Sequence, residues 1–180
     1  MIEIATDSKH KKQFEEAKKL HYKGVDGDKN AVKSANQHLS KLREAEPGNA
    51  LIEAYYGSSL VLIARDSVKP LEKADKAQEG FDTLNRAINS DPNDKEIRLL
   101  RANVCLRLPE SFFHCLQTAI EDFTFLLDRY EENASYLTQK QVREVIQNLS
   151  TAYQNAGKPD KANAVLQRLS QITFREEGKH

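Results

Sequence analysis

Apolar residues along this chain recur at intervals of three and four, and short polar breaks, all but one holding glycine or proline, interrupt the pattern about every 15 to 22 residues. Such spacing lays one apolar stripe along a helix whose other side meets water. The interruptions fall at Gly24–Asp28, Glu46–Asn49, Asp66–Pro70, Ser90–Asn93, Leu108–Glu110, Glu131–Asn133 and Gly157–Asp160. Proline cannot continue a helix interior and glycine suits a helix C-terminus, so these are helix ends. No segment alternates with period two for long enough to be a strand. Only 7 Gly and 5 Pro beside 30% charged residues fit many helices and few tight turns. The chain is predicted to be all-α, with about eight helices.

The strongest stripe is Phe112, Leu116, Ala119–Ile120, Phe123, Leu126–Leu127 and Tyr130. Two helices, about Leu51–Ala64 and Ile97–Leu108, carry apolar residues on two sides, which predicts neighbours on both. Helix starts have their own marks. Thr138-Gln-Lys-Gln141 is a capping box, Asp28 and Asp94 are placed to cap, and Pro159 suits a first turn.

At 180 residues roughly 70% of the unfolded surface can be buried, so no metal or disulfide staple is required. Lys+Arg and Asp+Glu both count 27. That balance argues against a broadly basic nucleic-acid binder and against an acidic tail. Charge is uneven along the chain: residues 1–45 carry 10 basic and 7 acidic groups, 46–92 and 93–134 each 5 and 8, and 135–180 7 and 4. The opening residues carry no apolar core of signal-peptide length, and no stretch reaches the ~20 apolar residues of a membrane span. With two scattered cysteines, a cytoplasmic protein with reduced thiols is the expectation, without membrane or nucleic-acid partners.

The even-numbered helices share a pattern. Ala35-x3-Leu39-x2-Leu42, Gly80-x3-Leu84-x2-Ala87, Ala119-x3-Phe123-x2-Leu126 and Ala162-x3-Leu166-x2-Leu169 each set a small residue one turn before a large apolar one. Pro47 and Pro92 close two of these units. The small residue lets a partner helix approach, and the large ones fill the space behind it. In the preceding helices Tyr56-Gly57-x2-Leu60 and Leu149-Ser150-x2-Tyr153 run large–small–large, and Ala102-x2-Cys105 follows more weakly. Together with the turn Ala156–Ala162, this pattern resembles the tetratricopeptide repeat. Arg98 and Arg101 depart from it, as does the extended turn at Gly24–Asp28. Equivalent second-helix positions lie 39 to 45 residues apart, wider than the family's usual spacing.

The resemblance implies a right-handed superhelical array of about four helix pairs in one domain, residues 8–174, with units at about 8–47, 48–92, 93–133 and 134–174. Residues 1–7 are then an N-terminal extension and 175–180 a flexible tail. It also implies a concave surface lined by the first helix of each pair. On this chain that surface takes Leu51, Ala54, Ser58 and Leu62, then Glu96, Leu99, Asn103 and Leu106–Arg107, then Glu144, Gln147, Thr151 and Gln154–Asn155. Ser58, Leu62, Asn103, Arg107, Gln147, Thr151 and Gln154 are the candidate peptide- or protein-binding residues. Amides pair with both N–H and C=O of an extended peptide. The expected function is a non-catalytic binding scaffold, with a self-assembling homo-oligomer as the alternative and an enzyme without a recognisable motif as a distant third.

No catalytic residue, cofactor or metal is expected. Asp26-Gly-Asp28-Lys-Asn30 opens like a calcium loop but lacks its later ligands, and Asp28 reads better as a helix cap. Cys105, His114 and Cys115 could approach across one turn, yet they lack zinc spacing and a fourth ligand. His21 lies on an apolar stripe and reads as a half-buried core residue. Acidic pairs such as Glu121–Asp122 are expected on or beside solvated faces.

Overall fold

The computed structural model describes the backbone of residues 2–177 and the side chains of residues 8–169. Within these residues every regular element is a helix, and no strand occurs. The helices are α1 (Ile2–Val25), α2 (Lys29–Ala45), α3 (Ala50–Asp66), α4 (Pro70–Ser90), α5 (Lys95–Arg107), α6 (Glu110–Phe113), α7 (Leu116–Glu132), α8 (Gln139–Asn155) and α9 (Pro159–Glu177). Seven of the eight junctions between these helices fall at the breaks read from the sequence. α1 begins at Ile2 and α9 runs to Glu177, beyond the 8–174 limits expected for the domain, and residues 178–180 lie outside the described residues.

The helix ends are made by the residues that mark them in the sequence. Asp28 accepts bonds from the backbone N–H groups of Asn30 and Ala31, each at 3.0 Å. Asp94 accepts from Ile97 N at 2.9 Å, and Thr138 and Gln141 complete the capping box. These side chains satisfy donors that a helix start leaves open. Gly157 has φ +69°, which places Gly157 N on Gln154 O at 2.9 Å and Lys158 N on Tyr153 O at 2.8 Å. Gly27, at φ +109°, ends α1 with the same pair of bonds, Gly27 N to Gly24 O and Asp28 N to Lys23 O, both at 3.0 Å. Only glycine enters this left-handed region without a Cβ penalty, so the two turns share one cause.

The chain divides into two compact units, and the division falls inside α5 between Arg101 and Ala102. In the first unit α1 packs on α2, α2 on α3 and α3 on α4, and α1 also reaches α3. The closest approach is between α3 and α4. A Cβ at Gly57 would lie 2.8 Å from the Gly80 carbonyl oxygen, and one at Gly80 would lie 2.5 Å from the Gly57 carbonyl oxygen. Thr83, Leu84 and Val61 close around the pair. Both glycines are the small residues of the repeat pattern, and here they let two backbones touch. Ile52, Tyr55, Leu60, Leu84 and Ala87 are buried around them.

In the second unit α8 packs on α7 and on α9. Ala119, Phe123 and Leu126 of α7 and Val142, Ile146 and Leu149 of α8 form its centre. Ala162 of α9 is buried, whereas Leu166, its partner in the repeat pattern, is 37% exposed. No helix among the described residues follows α9 to cover it.

Two expectations are corrected. Phe112 does not begin the α7 stripe: it sits in the four-residue α6 and is 80% exposed. His114 takes φ 47° and breaks the helix, and Glu110 Oε2 accepts the bond from Leu116 N at 2.8 Å that opens α7. Asp122 is not on a solvated face: it is buried in α7, with an interaction inside the protein. Its position on the apolar side of α7 is one that the i, i+3, i+4 spacing leaves open.

Candidate functional site

In the second unit, α5 and α8 meet through two amides. Asn148 Nδ2 donates to Asn103 Oδ1 at 2.9 Å, and both residues are partly exposed. One turn beyond Asn103, Arg107 is exposed, and its Nη1 donates to the Asn103 carbonyl at 2.9 Å and to Asn103 Oδ1 at 3.4 Å. Asn103 is therefore the acceptor that joins two helices and positions an arginine. Along α8, Gln147, Thr151 and Gln154 are exposed, and Thr151 Oγ1 donates to the Gln147 carbonyl at 3.0 Å. Glu144, two turns before Thr151, is 3.8 Å from Lys140. From Val145 to Asn155, α8 carries no charged residue. The face thus offers amide and hydroxyl groups with one exposed guanidinium.

In the first unit the residues at matching repeat positions are enclosed. Ser58 is 5% exposed and its Oγ is 2.8 Å from His21 Nε2. Ala54 and Tyr55 are buried, while Leu51 and Leu62 are half-buried. The cover comes from α1: Phe14, His21 and Tyr22 each meet the Tyr55 ring edge-to-face, with centroids 5.6, 5.2 and 6.3 Å away. Tyr55 donates its hydroxyl proton to Glu96 Oε2 at 3.2 Å, so the 3.0 Å bond to Tyr22 is donated by the Tyr22 hydroxyl. Lys18 stands 3.9 Å from the same Glu96 oxygen and 2.9 Å from Glu15. Burial, the Tyr22 hydroxyl and the Glu96 carboxylate push the Tyr55 phenol far above its ordinary range.

His21 is buried more deeply than half, at 1% exposure. Its Nδ1 is buried with no hydrogen-bond partner, so Ser58 is the one polar group that meets the ring. Burial lowers its pKa from 6.5 to about 4, because an imidazolium there would have no counter-charge and little water. The Ser58–His21 pair has the residue types of a nucleophile and base. Nothing orients Nδ1, however, and neither side chain is open to a substrate, so the pair is a packing contact.

The soft-ligand cluster behaves in the same way. Cys115 Sγ donates to the Cys105 carbonyl at 3.6 Å, both thiols are buried, and His114 is exposed. Among the described residues no group of His, Cys, Asp and Glu is arranged to hold a metal ion. Asp28 uses its carboxylate on helix α2. Among the described residues no helix is long and apolar enough to cross a membrane.

Sequence reasoning missed Asn148, which carries the contact between α5 and α8. Its signal was present: an amide flanked by Ile146 and Leu149 on the edge of an apolar stripe. No family model matches the chain, and no curated protein is significantly similar to it.

Proposed function

We propose that this chain is a non-catalytic scaffold that binds a protein or peptide segment, built as a tetratricopeptide-like array of helix pairs. The observation that carries this reading is the Asn148–Asn103 bond, which sets α5 beside α8 with Arg107, Gln147, Thr151 and Gln154 exposed around it. A row of amides and hydroxyls beside a paired amide suits an extended backbone, whose N–H and C=O groups alternate. The back-to-back contact of Gly57 and Gly80 supports the repeat register, because small residues in a first and second helix meet where the pattern pairs them. A cytoplasmic setting fits the buried thiols of Cys105 and Cys115.

The test is a pull-down from native extract with the wild-type chain and with the triple variant Asn103→Ala, Gln147→Ala, Thr151→Ala. A partner retained by the first and lost by the second is the expected result. Equal retention by both places binding elsewhere. The homo-oligomer alternative draws on Val68, just before α4, and Leu71 in its first turn, which are 92% and 75% exposed. Sedimentation at two salt concentrations separates the two readings: a monomer at both supports the scaffold, and an oligomer at either supports self-assembly.

A further inference from the structure

We propose that Arg107 reads an acidic side chain: the segment that docks on the α5–α8 face carries an Asp or Glu that pairs with the Arg107 guanidinium. This rests on the reading of that face as a peptide-binding surface.

A guanidinium offers five N–H donors on a planar fork. Arg107 spends only Nη1, on the carbonyl and side-chain oxygens of Asn103. A cation in the last turn of a helix suits the carbonyl end of the dipole, which accounts for that bond. The same bond fixes the direction of the opposite edge, Nε–H with Nη2–H, which makes no hydrogen bond to any described residue. That edge is the pair of parallel donors to which a carboxylate binds bidentately.

The other arginines of the second unit whose side chains are described are occupied. Arg129 pairs with Glu132 and Arg168 with Glu131, each at 3.2 Å, and Arg143 has an interaction inside the protein. Glu144, the one acid on α8, is beside Lys140, and the eleven residues from Val145 to Asn155 carry no charge. Among the described residues Arg107 therefore stands beside neutral amides and makes no ion pair, and Glu110, three residues on, gives its Oε2 to Leu116 N. A partner bound through its backbone by those amides would bring its side chains past the open edge. A carboxylate is the group that fits two parallel donors and one positive charge, and an amide of the same shape lacks the second acceptor and the charge.

The probe is a phage-displayed library of random dodecapeptides fused through their C-termini, so that no terminal carboxylate is present, selected on the full chain. The best sequences are then synthesised with both ends blocked, each with its acid and with Asn or Gln in the acid's place. The expected result is enrichment of an Asp or Glu at one position, an acid form that binds roughly five- to tenfold more tightly than its amide twin, and loss of that difference in Arg107→Gln. Circular dichroism of Arg107→Gln should match wild type, since the residue is exposed and glutamine still reaches the Asn103 carbonyl. Selected peptides without acid enrichment, or an acid preference that survives in Arg107→Gln, would overturn the role of Arg107 and leave the peptide-binding face intact. Failure to select any sequence would overturn the peptide-binding reading itself, and the role of Arg107 with it.

Discussion

Ser58 and Asn103 hold the same place in the repeat pattern, each directly after the small residue of a first helix, Gly57 or Ala102. Their fates differ. Around Ser58, α1 delivers Phe14, His21 and Tyr22, and the space beside α3 is filled with rings. Beside Asn103, α8 delivers Asn148, and Gln147 and Thr151 on the same helix stay exposed. The lesson is that a repeat position fixes which way a residue points along its own helix, while the neighbouring helix decides whether that direction is core or surface. In this chain an aromatic neighbour makes a structural contact of the first position, and an amide neighbour leaves the second as a candidate site.

The largest blow to the filled region is at its backbone contact. Gly57→Leu must push its side chain into the Gly80 carbonyl, which cannot rotate aside, and should cost about 3 kcal/mol. Thermal unfolding that matches wild type would remove the Gly57–Gly80 contact and the repeat register together. Next comes acid. Folding keeps His21 neutral down to about pH 4, while the unfolded chain takes up the proton near pH 6.5. The unfolded state therefore binds more protons between these values, and stability present above pH 6.5 is lost as pH falls. The loss should reach about 2 kcal/mol by pH 5 and be absent in His21→Gln, as denaturant titrations at each pH will show. An equal acid loss in that variant would mean that the ring is hydrated in solution.

Smaller effects sharpen the contrast. Tyr55→Phe leaves the packing in place but removes the bonds to Glu96 and Tyr22, and should cost about 1 kcal/mol. On the open face, Gln147→Ala and Thr151→Ala should stay within about 0.5 kcal/mol of wild type while weakening any partner. If the second pair destabilised as much as the first, the face between α5 and α8 would be structural as well.

Much of the helical order is legible in the chain because its signals are local. Asp28, Asp94, Thr138 with Gln141, Gly27 and Gly157 each act on backbone groups a few residues away, and each does so in the structure. Gly57 and Gly80 are legible because a small residue at helical spacing has few other uses. What is not legible depends on the neighbour. Phe112 fits the α7 period, yet the turn through His114 and the Glu110 cap start the helix four residues later and leave the ring outside. Asp122 lies three residues after Ala119 and four before Leu126, on the apolar stripe itself, and only its charge argues for the outside. Arg107 reads as an ordinary surface cation, and its unused edge emerges only from the count of its bonds.

Both cysteines, Cys105 and Cys115, lie in the second unit, and both are sealed from solvent. The chain thus carries a chemical clock for one half of itself. An alkylating reagent can reach either sulfur only while that half is open, so the speed of modification at rising reagent measures how often it opens. The first unit has no thiol and stays silent in the same tube. Mass spectrometry of a single timed reaction would then separate breathing of the second unit from collapse of the first, with no label added by mutation.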